Sequence, residues 1–307
     1  MPLLTRSATA YAALAGQLNT VSQGGQPADA GRHSVLFEPC SNPGCGSGWL
    51  HLWRSRTAPL IEGGWTCSAG CTAQRLKAAI GRELDGRGAA LEHHRHRVPL
   101  GLLMLEQGWI TAEQLRGALT SQRRHGSGRL GQWLIAGEGV DEQLVTRALG
   151  LQWSCPVLPL ASHDPEGLAP LLPRFFLDAF GALPLRVAGS KLIYLGFEDR
   201  LDPVLALALE RISGLRVESG LVQGSRFRPA HDRMLGAAFP AVELLEAASE
   251  PALVSALTRR VERVRPVEAR LVRVHDCLWL RLWTRPQSGP VPDAASVQDV
   301  VCTIAGH

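Results

Sequence analysis

"RLGQWLIAGEGVDEQLVTRALGLQ", residues 129–152, decides the fold, because "PLGLLMLEQGWITAEQLRGALTSQ", residues 99–122, says nearly the same thing thirty positions earlier. In register, Leu100-Gly101 overlies Leu130-Gly131, Met104-Leu105 overlies Leu134-Ile135, and Ile110 overlies Val140. Thr111 overlies Asp141, and both residue types cap helix starts. Leu115, Ala118, Leu119 and Gln122 then overlie Val145, Ala148, Leu149 and Gln152. Apolar positions three and four apart make each copy a short helix, a turn and a longer helix. Thr111 with Gln114 forms a capping box at the start of the second helix.

A shared core explains the leucines. It explains less well the glycine after the first leucine and the glutamine that ends each copy. A glycine at a helix start admits a ligand to the backbone, where free N–H groups and the positive helix end favour an anion. Arg129 stands just before the second Leu-Gly, in place to meet a phosphate or a guanine edge. The Leu and Val side chains can form an apolar bed for a base, with the glutamine closing on polar atoms.

Around this tandem the 307 residues divide by texture. Residues 1–34 are rich in Ala, Gly, Gln and Ser and read as a loosely ordered arm without the charged start and apolar block of an export signal. Residues 35–92 carry four of the seven cysteines, and "HHRHR" (93–97) is a basic hinge. The tandem spans 98–160. Residues 161–240 read as a small α+β lobe: "ALPLRV" and "KLIYLGF" as a hairpin, "DPVLALALERISG" as a helix with Asp202 as cap and Gly214 at its end, "LRVESGLV" as a strand. Residues 241–307 read as a helix, a β-hairpin turning at His275-Asp276, and a frayed tail after Thr284. Trp279 and Trp283 share a strand face, as core or docking surface.

Composition excludes several classes. No apolar run approaches the roughly 20 residues of a membrane span. All but two of the 32 basic residues are arginine, and neither Lys77 nor Lys191 sits in a phosphate-binding glycine loop, so a P-loop ATPase is excluded. There is no G-x-S-x-G or H-E-x-x-H motif. A net charge of +4 is too small to argue for bulk nucleic-acid binding.

The pattern R-L-G, apolar pair, Gly, apolar pair, Leu…Leu…Gln, written twice, resembles the MshEN-type N-terminal domain of type II secretion and type IV pilus assembly ATPases. "LGLQWSCPVLPL" and the lobe that follows are similar to that domain's second part, so the resemblance covers roughly residues 98–240. It implies a cyclic di-GMP site to which each copy gives an Arg, a Leu-Gly, two apolar residues and a Gln. The second copy supplies Arg129, Leu130, Gly131, Val145, Leu149 and Gln152. The first supplies Leu100, Gly101, Leu115, Leu119 and Gln122, but Pro99 replaces its Arg, and Arg97 is the candidate substitute. Glu138-Gly139 stands where the first copy has Gly108-Trp109, which would bring an unwelcome carboxylate near phosphates. A twofold-symmetric dinucleotide matches a duplicated half-site, one copy per half.

Cys40 and Cys45, then Cys67 and Cys71, are two pairs that bracket turn-forming residues. "GWLHLWRSR" between them alternates like a strand, "EGG" (62–64) can turn it back, and Cys71 lies at a helix start. This is the layout of a treble-clef or ribbon site with structural zinc held by four thiolates, buried free thiols or disulfides being the other readings. Cys155, Cys277 and Cys302 are isolated and read as packing residues.

The expectation is thus an α+β chain: a small zinc-ribbon or treble-clef-like module, a tandem helical-hairpin repeat, a small α+β lobe, and a C-terminal helix plus β-hairpin. Its function is expected to be non-enzymatic, cytoplasmic and regulatory, with cyclic di-GMP as ligand and a protein partner in a pilus or secretion assembly. One alternative is a ligand-free docking module. Another is a nucleic-acid-binding zinc protein using Arg54, Arg56 and Arg75 with Trp49 and Trp53, for which no strong case exists.

Overall fold

A computed structural model describes residues 39–46, 59–85, 97–160 and 165–305. The expected N-terminal arm, the 48–56 strand with Trp49, Trp53, Arg54 and Arg56, and all of the basic hinge except Arg97 lie outside the described residues. No helix among the described residues is long and apolar enough to cross a membrane.

The tandem forms four helices, following the minimal hairpin β1 (Leu60–Ile61) and β2 (Gly64–Trp65) and helix α1 (Ala69–Asp85). They are α2 (Leu100–Glu106), α3 (Ala112–His125), α4 (Leu130–Glu138) and α5 (Glu142–Trp153). Thr111 caps α3 with the full capping box, and Asp141 caps α5 through the Gln143 N–H at 2.8 Å. The repeat core is built from matched positions: Met104 with Leu134, Ile110 with Val140, Ala118 with Ala148. The duplication read in the sequence is therefore a duplication in packing.

The lobe follows: α6 (Pro165–Leu168), α7 (Arg174–Phe180), β3 (Ala182–Ala188), β4 (Leu192–Phe197), α8 (Pro203–Ser213), β5 (Arg216–Leu221) and α9 (Gly224–Leu235). β3 and β4 pair antiparallel, and β4 pairs parallel with β5 across α8. Asp202 caps α8 through the Leu205 N–H, and Gly214 ends it at φ 72°. The segment after α5 docks on β5, with Leu158 N–H donating to Leu221 O at 2.7 Å. That contact sets the repeat against the lobe.

The C-terminal part comprises β6 (Ala241–Ala247), α10 (Glu250–Val264), β7 (Glu268–Val274), β8 (Cys277–Trp283) and β9 (Val297–Ile304). Its sheet runs β6-β9-β8-β7, with β6 and β9 parallel and the other pairs antiparallel. The segment after Thr284, expected to fray, instead supplies β9, an interior strand. Its Pro- and Gly-rich beginning hid the β-branched run Val297–Ile304, whose Val300 and Cys302 bury on one face and Val301 on the other.

Both faces of this sheet are covered, so its strands read as near-continuous apolar runs. Trp279 and Trp283 face the lobe and belong to the core. Among them lies a buried ion pair: Arg281 donates to both Asp299 oxygens at 2.8 Å and to Leu171 O at 2.9 Å, and Trp279 Nε1 donates to Asp299 at 2.7 Å. Each partner is hydrogen-bonded as well as paired, the condition under which buried charge is tolerated. The opposite face packs on α10 and on α1, whose Leu76, Ala79 and Ile80 join Leu253, Leu257 and Val261.

Candidate functional site

The two Leu-Gly helix starts face each other reciprocally. A Cβ on Gly101 would lie 2.5 Å from Leu115 and 3.1 Å from Leu130 of the other copy. A Cβ on Gly131 would lie 2.8 Å from Val145 and 3.6 Å from Leu100 of the other copy. The glutamines obey the same symmetry. Gln122 Nε2 donates to Gly128 O at 2.9 Å and Gln152 Nε2 to Val98 O at 2.7 Å, each carbonyl two residues before the other copy's Leu-Gly. The amides expected to close on a ligand are thus engaged as latches between the copies.

Beside this junction opens a cleft of about 450 Å³ between the second copy and the lobe. Of the sequence-predicted residues it gathers Leu100, Arg129, Leu130, Gly131, Val145, Leu149 and Gln152. Gly101, Leu115, Leu119 and Gln122 do not line it. Gly101 is buried, with Leu115 in the space a side chain would need. Arg97 does not line the cleft either, but its guanidinium lies 3.2 Å from the ring centroid of Trp153, a lining residue. Burial there, and then the charge of Arg200, lower the Arg97 pKa. Glu138 does not intrude. Its carboxylate lies over Gly117 on α3, outside the cleft.

The far wall comes from the lobe, and the sequence reading missed it. Glu198, Asp199 and Arg200 form the joint between β4 and α8, and Gly224 and Arg228 belong to α9. A polar run at the carboxyl end of a strand that leads into a crossover helix is a signal for a ligand site. Arg129, Arg200 and Arg228 face Glu142, Glu198 and Asp199 in this lining, so its charge nearly cancels. Arg129 pairs with Asp199, and Arg228 with Glu198 at 2.6 Å. Glu142 accepts the Ser225 N–H at 2.9 Å at the start of α9, where the helix dipole stabilises it. A second cleft, about 460 Å³, shares Arg129, Glu198, Asp199 and Arg200 and reaches Phe180 and His275. There His275 Nε2 donates to Asp202 at 2.7 Å.

The four cysteines converge. Their sulfurs lie within 4.8 Å of one another, with Cys45–Cys67 at 3.6 Å and Cys67–Cys71 at 3.5 Å. Four sulfurs about 2.3 Å from a tetrahedral ion stand about 3.8 Å apart. The cluster therefore has the dimensions of a tetrathiolate metal site, and these separations are far too long for disulfides. Asn42, buried, donates to Cys71 Sγ at 3.3 Å and orients it. Burial and then the neighbouring thiols push the Cys67 thiol up to about 12. A divalent cation would remove that penalty by taking the thiolates directly.

No family model matches the chain. Bacteriophage adsorption protein B of Escherichia coli (strain K12) is 35% identical over 127 residues, 40% of this chain and 16% of that protein. Type IV pilus assembly ATPase PilB of Myxococcus xanthus (strain DK1622) is 26% identical over 148 residues, 47% of this chain and 25% of that protein. The chain thus spans a quarter or less of the length of these curated relatives. Among solved structures, MshE with cdg shows 28% identity, covering 45% of this chain and 99% of that one, at a TM-score of 0.36. The N-terminal domain of XpsE shows 19% identity, covering 44% and 92%, at a TM-score of 0.31. Part of this chain is similar in sequence to a type IV pilus assembly ATPase, one of the classes its repeat indicated.

Proposed function

We propose that this chain is a non-catalytic regulator that binds cyclic di-GMP in the cleft between the second repeat copy and the lobe. It then acts in trans on a pilus- or secretion-type machine. The observation that carries the reading is the cleft itself: an apolar bed of Leu100, Leu130, Val145 and Leu149 beside an arginine at a glycine-bearing helix start. The cdg of the MshE structure supplies the name of the ligand and nothing of the geometry.

Because the lining nearly cancels in charge, a dianion gains little from the overall field and must recruit Arg129. That exchange is cheap. The Arg129 side chain is 64% exposed, and an ion pair so placed contributes at most about 1 kcal/mol. A phosphate takes the guanidinium, and the released Asp199 carboxylate offers two acceptors side by side, which suit the N1–H and N2–H donors of guanine. The cysteine cluster holds zinc in a closed four-thiolate shell, a structural rather than catalytic ion.

Titration calorimetry with cyclic di-GMP, beside cyclic di-AMP and GTP, tests this. The expected result is a dissociation constant of roughly micromolar or below and a preference for guanine. Absence of heat with every nucleotide, from folded protein, refutes it. The Arg129–Asp199 pair favours the second reading in that event: the arginine is already taken by a carboxylate of the lobe, and the repeat docks a protein partner instead.

A further inference from the structure

Arg129, Arg200 and Arg228 line the cleft, Arg97 stands beside it, and all but one of these have a partner. Arg129 pairs with Asp199, Arg228 pairs with Glu198 at 2.6 Å, and Arg97 lies 3.2 Å from the ring centroid of Trp153. Arg200 makes no ion pair, hydrogen bond or ring contact among the described residues. The carboxylates around it are engaged elsewhere. Glu198 and Asp199 hold the two paired arginines, and Glu142 accepts from the Ser225 N–H and hydroxyl. Asp202 accepts from the Leu205 N–H and from His275. Arg200 is exposed on the wall shared by both clefts, at the joint of β4 and α8. It is the one cation there that an anion can take without displacing a carboxylate.

A second cation stands behind it. Arg97 is half-buried against Trp153, and the backbone after it is pinned: Gln152 Nε2 donates to Val98 O at 2.7 Å and Leu103 N–H to Pro99 O at 3.0 Å. Burial, and then the charge of Arg200, lower the Arg97 pKa, so the two guanidiniums are near enough to repel. Neither is paired with a carboxylate. Such a pair is unfavourable by itself and turns favourable when a phosphate neutralises it. We infer that Arg200, backed by Arg97, is a phosphate subsite beside Trp153, which takes one phosphodiester of the cyclic dinucleotide while Arg129 takes the other. This rests on the reading of the cleft as a nucleotide site. It also accounts for Pro99: the lobe supplies the cation that the first copy lacks.

The test is titration calorimetry of the full chain with cyclic di-GMP and, separately, with inorganic phosphate. Arg200 holds no other residue, so Arg200→Gln leaves the urea midpoint unchanged, which confirms a folded variant. The expected result is a loss of cyclic di-GMP affinity of about ten-fold or more, with a weaker dependence on sodium chloride than the wild type shows. Arg200→Lys recovers part of the loss, because it keeps the charge and not the fork. Arg97→Gln costs less, and its loss shrinks further when Arg200 is already Gln. If the wild type binds cyclic di-GMP and Arg200→Gln binds it equally well, the subsite is overturned and the reading of the cleft stands. If the wild type binds no cyclic di-GMP, both fall. If inorganic phosphate binds as tightly as the dinucleotide and Arg200→Gln abolishes it, the site is one for free phosphate and the assignment to the dinucleotide is overturned.

Discussion

The two copies of the repeat share a core and differ at their rims. Met104 and Leu134 are both fully buried at matched positions, and each Leu-Gly packs against the leucine of the other copy. At the helix starts the copies part. Arg129 precedes α4 with a long cation that reaches the lobe, whereas Pro99 precedes α2 and offers no donor. Packing constrains both copies alike, because a duplicated core fails if either half changes volume. The rim is free to diverge, and here only the second copy carries a long cation at its helix start.

If the cores are equivalent, truncating them should cost the same. Met104→Ala and Leu134→Ala are each expected to lower unfolding free energy by about 2–5 kcal/mol, read by urea denaturation. A cost confined to one copy breaks the equivalence. The next largest effect is at the glycines. Gly101→Ala and Gly131→Ala drive a methyl to 2.5 Å from Leu115 and 2.8 Å from Val145. Each should destabilise by about 1–3 kcal/mol. Only Gly131→Ala should also weaken nucleotide binding, since Gly131 alone of the two lines the cleft.

The rims give a third contrast. Arg129→Ala should reduce cyclic di-GMP affinity by about one to two decades while leaving stability within about 1 kcal/mol, as its ion pair is exposed. Pro99→Arg, which gives the first copy the arginine that the second has at Arg129, should raise affinity or leave it unchanged. A fall on Pro99→Arg together with no effect of Arg129→Ala would move the working half-site to the other copy.

Periodicity and caps made the four repeat helices, the lobe's hairpin and α8 legible, because each is specified within about a dozen residues. What escaped notice depends on distance along the chain. Glu83 binds Arg211 across 128 residues at 2.9 and 2.5 Å, and nothing near either residue announces the other. Arg281 in "LWLRLW" and Asp299 in "VQDVV" pair in the core, and neither segment by itself announces the other. Asp199 was invisible for a similar reason: its role comes from Arg129, seventy residues earlier, whereas the cysteine cluster was legible from residue type and spacing alone.

The smallest effect discriminates most finely between packing and recognition. Gln122 and Gln152 make equivalent latches, so each alanine substitution should cost about 0.5–1.5 kcal/mol of stability. Their consequences for binding should differ. Gln152 lines the cleft beside Trp153, and its latch fixes Val98, next to the Arg97 that stacks on that ring. Gln122 holds Gly128, one residue before Arg129, yet lies outside the cleft. Gln152→Ala should therefore weaken cyclic di-GMP through direct contact, and Gln122→Ala only through looser placement of Arg129. In the double variant Gln122→Ala with Arg129→Ala, removing Gln122 should add no further loss of affinity. Full additivity would mean that Gln122 meets the ligand itself, and that the first copy still holds half of the site.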